Sequence, residues 1–411
     1  PVKKFGNKEL TLSMIKPQYY RFVAEGKIGS VYSRLLFNKE HQRYNLTLDI
    51  ERQNQLVTEI GGIITSSSVN ELFLQLKYFL WTSKSFQFKM NSYFGRFYNS
   101  ALFESRIDVP KYNPYFLSLG FVYNKFNYFK TSIFFYADDD PYFIMEQEQF
   151  GYFSAGFPLN NDVKIVVDLT AGSSRDQYFQ TNTYSRDDIL DRTSFRFIAP
   201  GFYVEKNSLN HKEYANRGMF FRTELYLVSG NEFFYPGSTT ADKRILKIPH
   251  TWVQGRLEFE NFYANSRRVS LGFYSQLNYS AQTYFSNYTS SILSATPFQP
   301  FSESFVKFIP KYRANKFASL GSKNVYSITK NLDFRLEGYL FVVLDALEKD
   351  AVTTKSQIAS GVKFNTLASS VLVYRTPIGP ISMNLNYFGG EDKPLSFFFK
   401  IGYIIFNRRP F

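Results

Sequence analysis

The sequence predicts an all-β protein, a transmembrane antiparallel β-barrel of about 16 strands. Three observations lead to this fold class. Segments of about ten residues alternate apolar with polar side chains, aromatic residues gather near segment ends, and no stretch is long and apolar enough for a spanning helix. Successive side chains of a strand point to opposite faces, so the alternation gives one apolar face and one polar face.

The last strand candidate shows the pattern most clearly. In PLSFFFKIGYIIFNRRPF, Phe397, Phe399 and Ile401 share one face, while Phe398 and Lys400 share the other. The segments NELFLQLKYFLW, VKIVVDLT and WVQGRLEFE repeat the alternation. The candidates number about fourteen to sixteen, and single-chain membrane barrels favour even numbers.

A soluble all-β protein with one packed face is the alternative. Segments of about ten residues are longer than the five or six usual in soluble sheets and match the length that a tilted spanning strand needs. The polar faces carry charges of both signs, as the lining of a hydrated lumen does. We therefore favour the membrane barrel.

Composition narrows the function classes. The 411 residues contain no cysteine, which excludes disulfides and thiolate metal sites. The formal net charge is +13, but Lys and Arg are dispersed rather than grouped. This distribution argues against nucleic acid as a partner and favours a solvated basic surface or contact with anionic lipid head groups.

Enzyme signals are weak. There is no GxSxG, no HExxH and no glycine-rich nucleotide motif, and the three histidines lie far apart in the sequence. Glu258 and Glu260 share a strand face and could act as an acid and base pair, but Arg256 on the same face favours a charge network. We assign no catalytic, metal-binding or cofactor-binding residue. The charged residues assigned to the lumen are Arg222, Glu224, Arg256, Glu258 and Glu260.

Near the C-terminus, SSVLVYRTPIGPISMNLNYFGGEDKPLSFFFKIGYIIF resembles the last three strands of the outer-membrane protein assembly and two-partner secretion barrel superfamily. In that superfamily a TPIGP-type turn precedes the penultimate strand, and the last strand carries a glycine and ends on an aromatic residue. The resemblance implies a strand signal at Gly402, Ile405, Phe406 and Phe411.

A second stretch, KYRANKFASLGSKNVYSITKNLDFRLEGYLFVVLDAL, resembles the superfamily's sixth-loop region. There an arginine tip folds into the lumen and contacts an acidic residue of the wall. The resemblance implies a lock between Arg313 and Asp345, although Ala314, Asn315 and Leu347 depart from the family's motifs. Two unconnected polar residues are the alternative.

Upstream, YNLTLDIERQNQLVTEIGGIITSSSVNELFLQLKYF resembles the junction between a polypeptide-transport-associated (POTRA) domain and the first barrel strands. This stretch of sequence is most similar to barrels fused behind patatin-like phospholipase domains. The resemblance implies a periplasmic POTRA-like remnant and linker at 1–54 and a barrel at 55–411. Any lipid acyl hydrolase activity would belong to a patatin-like domain outside this chain.

By the same resemblance, the first and last strands meet at a weak seam between 55–66 and 395–406. Gly61 and Gly62 either weaken the first strand there or only relieve crowding. The expected function is a translocation or assembly barrel of the Gram-negative outer membrane that anchors or exports an N-terminal passenger. A passive diffusion or uptake channel is the alternative.

The partners expected for such a barrel are of three kinds. Outer-membrane lipids and lipopolysaccharide would cover its outer face, and the barrel assembly machinery would insert it. A passenger or client polypeptide and further copies of the chain are the protein partners. No cofactor is expected.

Overall fold

The computed structural model shows an all-β chain whose 16 barrel strands close into one antiparallel barrel, as the sequence predicted. No α-helix in the described residues is long and apolar enough to cross a membrane. The structure describes residues 28–39, 43–52, 54–67, 69–82, 84–109, 113–128, 144–159, 163–180, 185, 187–240, 242–349, 356–358 and 361–411.

The barrel strands follow one another around the barrel in chain order, and the last barrel strand pairs with the first. Two small hairpins, β1–β2 and β16–β17, lie outside the barrel sheet. One short α-helix, α1 (Tyr288–Ser294), and two 3-10 turns (Ser302–Phe305 and Pro310–Tyr312) lie between β13 and β14. The strands are β1 (Ile28–Asn38), β2 (Arg43–Arg52), β3 (Leu56–Thr65), β4 (Glu71–Trp81), β5 (Ser85–Gly95), β6 (Tyr98–Val109), β7 (Tyr115–Tyr128), β8 (Ile144–Pro158), β9 (Val163–Tyr178), β10 (Asp191–Asn207), β11 (Met219–Tyr235), β12 (Leu246–Asn265), β13 (Val269–Ser280), β14 (Lys316–Ser327), β15 (Leu332–Val343), β16 (Leu347–Lys349), β17 (Ser356–Ile358), β18 (Lys363–Thr376), β19 (Gly379–Phe388) and β20 (Leu395–Ile401).

The outward face of the barrel is apolar. On β4 the alternating apolar residues of the sequence all point outward, and between 36% and 48% of each is exposed. In water such a face would drive aggregation, whereas hydrocarbon accepts it. Closure matters for the same reason, because each unpaired backbone N–H or C=O costs several kcal/mol in lipid. The outward residues of β4 are Leu72, Leu74, Leu76, Tyr78 and Leu80.

Strand length varies more than the sequence suggested. β3 has 10 residues, whereas β12 has 20. The first outward residues of β12 are polar or proline, at Lys247, Pro249 and Thr251, and the apolar outward residues run from Val253 to Tyr263. The added length of β12 therefore projects beyond the apolar belt, and the belt itself keeps the predicted strand length.

Inside the barrel, aromatic rings lie over glycines of the neighbouring strand. Gly321 on β14 is paired with Tyr339 on β15, and a Cβ added to Gly321 would lie 2.3 Å from Cδ1 of Tyr339. The absence of a side chain lets the ring rest flat on the sheet. The same arrangement occurs at Gly120 with Tyr152, Gly156 with Phe116, Gly201 with Tyr226, and Gly272 with Phe262.

The connections between strands alternate between two ends of the barrel. The end where β3 begins, here called the short-turn end, carries the connections 82–84, 110–114, 159–162, 208–218, 266–268, 328–331 and 377–378. The opposite, long-loop end carries the longest connections, including 281–315 between β13 and β14. Outer-membrane barrels have short periplasmic turns and longer extracellular loops, so the short-turn end is the periplasmic end.

The N-terminal part of the described chain is a hairpin. β1 and β2 pair antiparallel, and β3 begins the barrel at Leu56. Residues 1–27 lie outside the described residues. The division into a POTRA-like remnant at 1–54 and a barrel from 55 stays a prediction.

We expect Gly321→Ala to lower the free energy of unfolding by about 1–3 kcal/mol, because the ring of Tyr339 must move from its place on the sheet. Gly338→Ala is the matched control, since no heavy atom lies within 4 Å of a Cβ added there. Urea unfolding of the detergent-folded barrel, followed by gel mobility, measures both. Equal effects of the two substitutions would contradict the packing role of Gly321.

Candidate functional site in the barrel lumen

The connection 281–315, here called the lumen loop, folds back inside the barrel. The N–H of Phe298 donates to the carbonyl of Tyr312 at 2.8 Å, so the loop forms a hairpin. Phe298 is 1% exposed, and its ring stacks on Phe341 of the wall with centroids 5.0 Å apart. Burial of these rings, together with the hydrogen bond, holds the loop in the lumen.

Polar contacts fix the first half of the lumen loop to the wall. The side chain of Asn287 caps α1 by accepting the N–H of Ser290 at 2.9 Å, and it donates to the hydroxyl of Tyr178 on β9 at 2.7 Å. Glu232 on β11 accepts the N–H of Ser286 at 2.9 Å. The side chain of Asn287 thus both caps the helix and attaches the loop to the wall.

The middle of the lumen loop carries a carboxylate that binds the last two strands. Glu303 is 3% exposed and accepts hydrogen bonds from Asn386 on β19 and Ser396 on β20, both at 2.5 Å. Lys307 on the same loop lies 2.5 Å from the other oxygen of Glu303. The loop is therefore attached to the strands that end the barrel.

Lys400, the lysine of the last strand, is completely buried. Its ammonium donates to Ser302 of the lumen loop at 2.9 Å and pairs with Glu213 of the β10–β11 turn. It also lies 4.8 Å above the ring of Tyr214. A buried charge is tolerated only with such partners, so Lys400 joins the last strand, the lumen loop and the turn.

The β10–β11 turn, residues 208–218, closes the short-turn end. The carbonyls of Tyr214 and Ala215 accept from two wall arginines, Arg375 at 3.0 Å and Arg335 at 2.8 Å. Tyr214 has φ of 58°, a left-handed backbone that non-glycine residues adopt at a cost of about 1 kcal/mol or more. The arginines supply the contacts that hold this conformation.

Arg313 and Asp345 are not brought together, which corrects the lock inferred from the sequence. Arg313 is buried in the lumen, but it donates to the carbonyl of Leu293 at 2.7 Å and lies 3.5 Å from Glu146 on β8. Asp345 accepts the N–H of Lys316 at 2.9 Å, and burial raises the pKa of its carboxyl. The separation arises because Arg313 points across the lumen, whereas Asp345 points to the start of β14.

The five charged residues assigned to the lumen lie on the inner faces of β11 and β12. Glu224 is central, with Arg222 at 2.8 Å and Arg256 at 2.7 Å. Opposite charges this close compensate each other's desolvation. The sequence did not identify the pairing of Glu224 with these two arginines.

Glu258 and Glu260 do not form an acid and base pair. Glu258 accepts from the hydroxyl of Tyr274 at 3.3 Å, and Glu260 binds the ammonium of Lys323 at 2.7 Å. Glu258 lines a cavity of about 520 Å³ between the wall and the lumen loop. Both carboxylates therefore belong to the charged lining of the lumen.

The strand signal expected from the sequence is not a continuous strand. β20 ends at Ile401, and Gly402 has φ of 103°. A Cβ on Gly402 would lie 2.3 Å from the carbonyl oxygen of Gly62, so both the backbone angle and the close approach require glycine. Beyond it, residues 402–411, here called the inward segment, turn into the lumen.

The other residues of the expected signal separate along the inward segment. Ile405 stays 40% exposed. Phe406 packs on the ring of Tyr98 at 4.6 Å, and Phe411 packs on Phe197 at 4.9 Å. The two phenylalanines are therefore packed against inner-wall aromatics instead of facing lipid as strand residues.

The seam between the first and last strands is short. Two residue pairs close it, Lys400 with Thr65 and Ile401 with Ile64, and just after β3 the N–H of Ser66 donates to the carbonyl of Phe399 at 2.8 Å. The rest of β3, Leu56–Ile63, is not paired with β20. This stretch of β3 carries backbone groups on its seam side that no barrel strand satisfies.

Gly61 and Gly62 lie in the seam strand, and the structure separates the two explanations offered for them. A Cβ on Gly62 would lie 2.6 Å from the carbonyl oxygen of Glu71 on β4, so this glycine relieves crowding. A Cβ on Gly61 would meet only a carbon of Phe73, at 3.6 Å, which is an ordinary contact. There is room for a side chain at position 61, so Gly61 does not relieve crowding. Its lack of packing contacts fits the first explanation, a weakened strand.

No protein-family model matches this chain, and no curated protein matches it. Among solved structures, BamA from Haemophilus ducreyi lacking POTRA domains 1-3 is similar, with a TM-score of 0.57, 10% identity, and coverage of 95% of this chain and 78% of that chain. CdiB from Escherichia coli has a TM-score of 0.48 and 11% identity, with coverage of 97% of this chain and 72% of that chain. CdiB from Acinetobacter baumannii has a TM-score of 0.47 and 7% identity, with coverage of 95% of this chain and 68% of that chain.

The similarity to BamA shows a shared barrel fold. Together with the apolar outer face and the charged lumen, it supports the predicted transmembrane barrel. A closed barrel of this kind is the architecture of bacterial outer-membrane proteins, and this chain is located in that membrane.

Several residues of the site were missed in the sequence. Glu303, Glu213 and Glu146 lie in segments without a motif, and their partners come from distant strands. Lys400 did carry a signal, since a lysine on the inner face of a terminal strand requires a partner within the lumen.

We expect Glu303→Ala to release the lumen loop, because Asn386 and Ser396 lose their shared acceptor and Lys307 loses its counter-charge. The free energy of unfolding should fall by about 2–4 kcal/mol, and cleavage within 281–315 by proteinase K should accelerate. Urea unfolding and a timed digest of the folded barrel measure the two effects.

Lys311→Ala is the control for that experiment. Lys311 and Glu391 form an ion pair at 3.5 Å with both side chains partly exposed. Such a pair contributes about 0–1 kcal/mol, so neither readout should change appreciably. Unchanged digestion of Glu303→Ala would show that the carboxylate does not hold the loop.

Proposed function

We propose that this chain is an outer-membrane barrel that assembles or translocates polypeptides through the seam between β3 and β20. The seam is the observation that carries the proposal. β20 pairs with β19 along its whole length of 7 residues, but with β3 only at Ile64 and Thr65. The weakest junction of the barrel therefore lies between its first and last strands.

The free edge of β3 is suited to bind another strand. Leu56–Ile63 present backbone donors and acceptors toward the seam. In hydrocarbon these groups cost several kcal/mol each while unsatisfied, and an added strand would satisfy them. A client strand would therefore gain most of its binding energy from its backbone, which suits a barrel that handles many sequences.

The filled lumen argues against the passive diffusion channel. The lumen loop, the β10–β11 turn and the inward segment all occupy the interior, and Lys400 joins the first two. A conducting barrel needs a continuous water path, and these three elements reduce the interior volume available for one. Steady, high single-channel conductance is therefore not expected.

A passenger domain extends the proposal. The chain enters the barrel from the short-turn end, where β3 begins and where periplasmic turns are expected. A domain placed before β1 would start on the periplasmic side, next to the free edge of β3. We propose a patatin-like passenger there, as the sequence resemblance implies, with the barrel as its anchor or exporter.

A disulfide across the seam tests the main proposal. Ile64 and Ile401 are cross-strand partners, and the chain has no cysteine of its own. We expect proteoliposomes holding the Ile64→Cys/Ile401→Cys barrel to accelerate insertion of a denatured eight-stranded outer-membrane barrel when reduced. After oxidation the acceleration should disappear, because the edge of β3 can no longer separate from β20.

The control is a disulfide of the same kind away from the seam. Leu320 and Leu340 are cross-strand partners on β14 and β15, and both are exposed on the outer face. Oxidised Leu320→Cys/Leu340→Cys barrels should accelerate insertion as the reduced ones do. Conductance with no acceleration in any reduced barrel would instead support the diffusion channel.

A further inference from the structure

The inward segment crosses the inner wall by side-chain contacts instead of extending a strand. The side chain of Asn407 donates to Asn91 at 2.9 Å and to Ser100 at 2.7 Å, and its N–H donates to the hydroxyl of Tyr98 at 2.9 Å. Asn124 on β7 donates to the carbonyl of Arg408 at 3.0 Å. Recognition of this kind depends on residue identity, unlike backbone pairing.

Two adjacent arginines of the segment meet buried carboxylates. Arg408 pairs with Asp168 on β9, and its guanidinium lies 4.3 Å from the centre of the Tyr152 ring. Arg409 binds Glu148 at 2.6 Å and Glu146 at 2.9 Å, both on β8.

These three carboxylates are at most 4% exposed. Glu146 retains Arg313 of the lumen loop at 3.5 Å, but no ion pair in the described residues gives Glu148 or Asp168 a cation other than those of the inward segment. Buried carboxylates without counter-charges are strongly unfavourable. If the segment left, the wall would therefore favour another cationic group in its place.

An aromatic pocket follows the acidic wall. The ring of Phe411 lies edge-on to Phe197 at 4.9 Å and to Trp252 at 6.2 Å. The order along the chain is therefore two arginines, a proline and an aromatic residue, matched on the wall by carboxylates and then by aromatic rings. We name the wall residues Glu146, Glu148, Asp168, Phe197 and Trp252 the arginine track.

The segment can leave the track without breaking the barrel sheet. Residues 402–411 belong to no strand, and the segment is joined to β20 at Gly402. Arg408, Arg409 and Phe411 also line the cavity of about 520 Å³ in the lumen, so there is open volume beside the bound side chains.

We propose that the arginine track is a binding site for polypeptide segments with two adjacent arginines and a following aromatic residue, and that the inward segment occupies it as an intramolecular ligand. The part of this proposal that concerns client polypeptides rests on the proposed function above. Arginine suits the site better than lysine, because its planar fork binds carboxylates in two-point geometry and stacks on rings. Such a client would displace the inward segment as it enters the lumen.

Occupancy by the inward segment can be measured with one introduced cysteine. Pro410 is buried in the track, whereas Asp392 on the β19–β20 turn is exposed, and the chain has no other cysteine. A polyethylene glycol maleimide should label Pro410→Cys at least tenfold more slowly than Asp392→Cys. Adding Arg408→Ala/Arg409→Ala should speed labelling at 410 at least tenfold and leave labelling at 392 unchanged.

Equal labelling at positions 410 and 392 in the otherwise unchanged chain would overturn the assigned occupancy, as would no acceleration by the alanine pair. Arg408→Lys/Arg409→Lys is a milder second variant that keeps both charges. It should give an intermediate rate, and it serves if the alanine pair does not fold to the heat-resistant barrel on a gel. A rate equal to that of the arginine chain would overturn the preference for arginine.

Ligand class is tested by peptide binding to the full chain carrying Arg408→Ala/Arg409→Ala, or the lysine pair if needed. A fluorescent, amidated peptide FNRRPF, the sequence of 406–411, should bind at least tenfold more tightly than FNAAPF, with FNKKPF between them. Adding Glu148→Gln/Asp168→Asn should weaken binding of FNRRPF at least tenfold. Equal affinity of the arginine and alanine peptides would overturn the proposal.

The two proposals fail separately. Peptide binding needs neither membrane insertion nor an open seam, so a barrel that binds FNRRPF but does not accelerate insertion contradicts only the proposed function. A barrel that accelerates insertion but does not distinguish the peptides contradicts only the arginine track.

Discussion

The structure depends on one constraint, which is that a strand in hydrocarbon must have its backbone groups paired. Fifteen of the sixteen junctions satisfy it by long antiparallel pairing, and the outer face is covered with apolar side chains. At the junction of β3 with β20, backbone pairing is confined to Ile64, Thr65 and the adjoining Ser66. The short pairing at this junction is informative because all the other junctions are paired over long stretches.

The interior obeys a second constraint, that a charge removed from bulk water needs a partner. The lumen loop, the β10–β11 turn and the inward segment each meet it by placing a charged side chain against one of opposite sign. Glu303, Glu213 and Arg409 are examples, bound respectively to Lys307, Lys400 and Glu148. These three elements are thus held in the lumen by several independent polar contacts and by aromatic packing, such as that of Phe298 on Phe341.

The sequence was sufficient for the fold and for which face each strand turns to lipid, because both follow from a period of two, as in the leucines of β4. It did not reveal that β20 stops at Ile401, since the alternation continues to Phe406 while the turn arises from Gly402 meeting Gly62. Nor did it identify Glu146 as the partner of Arg313, because that pairing spans the barrel and no local pattern encodes it.

Gly402 is a branch point for the chain. Residues 402–411 are long enough to continue beside the free edge at Leu56–Ile63, yet in this structure they fill the interior instead. One stretch of polypeptide cannot do both at once. Pairing with the edge of β3 and filling the lumen are therefore mutually exclusive uses of the same ten residues. With the segment inside, the barrel is closed more tightly along its axis and less tightly at the seam.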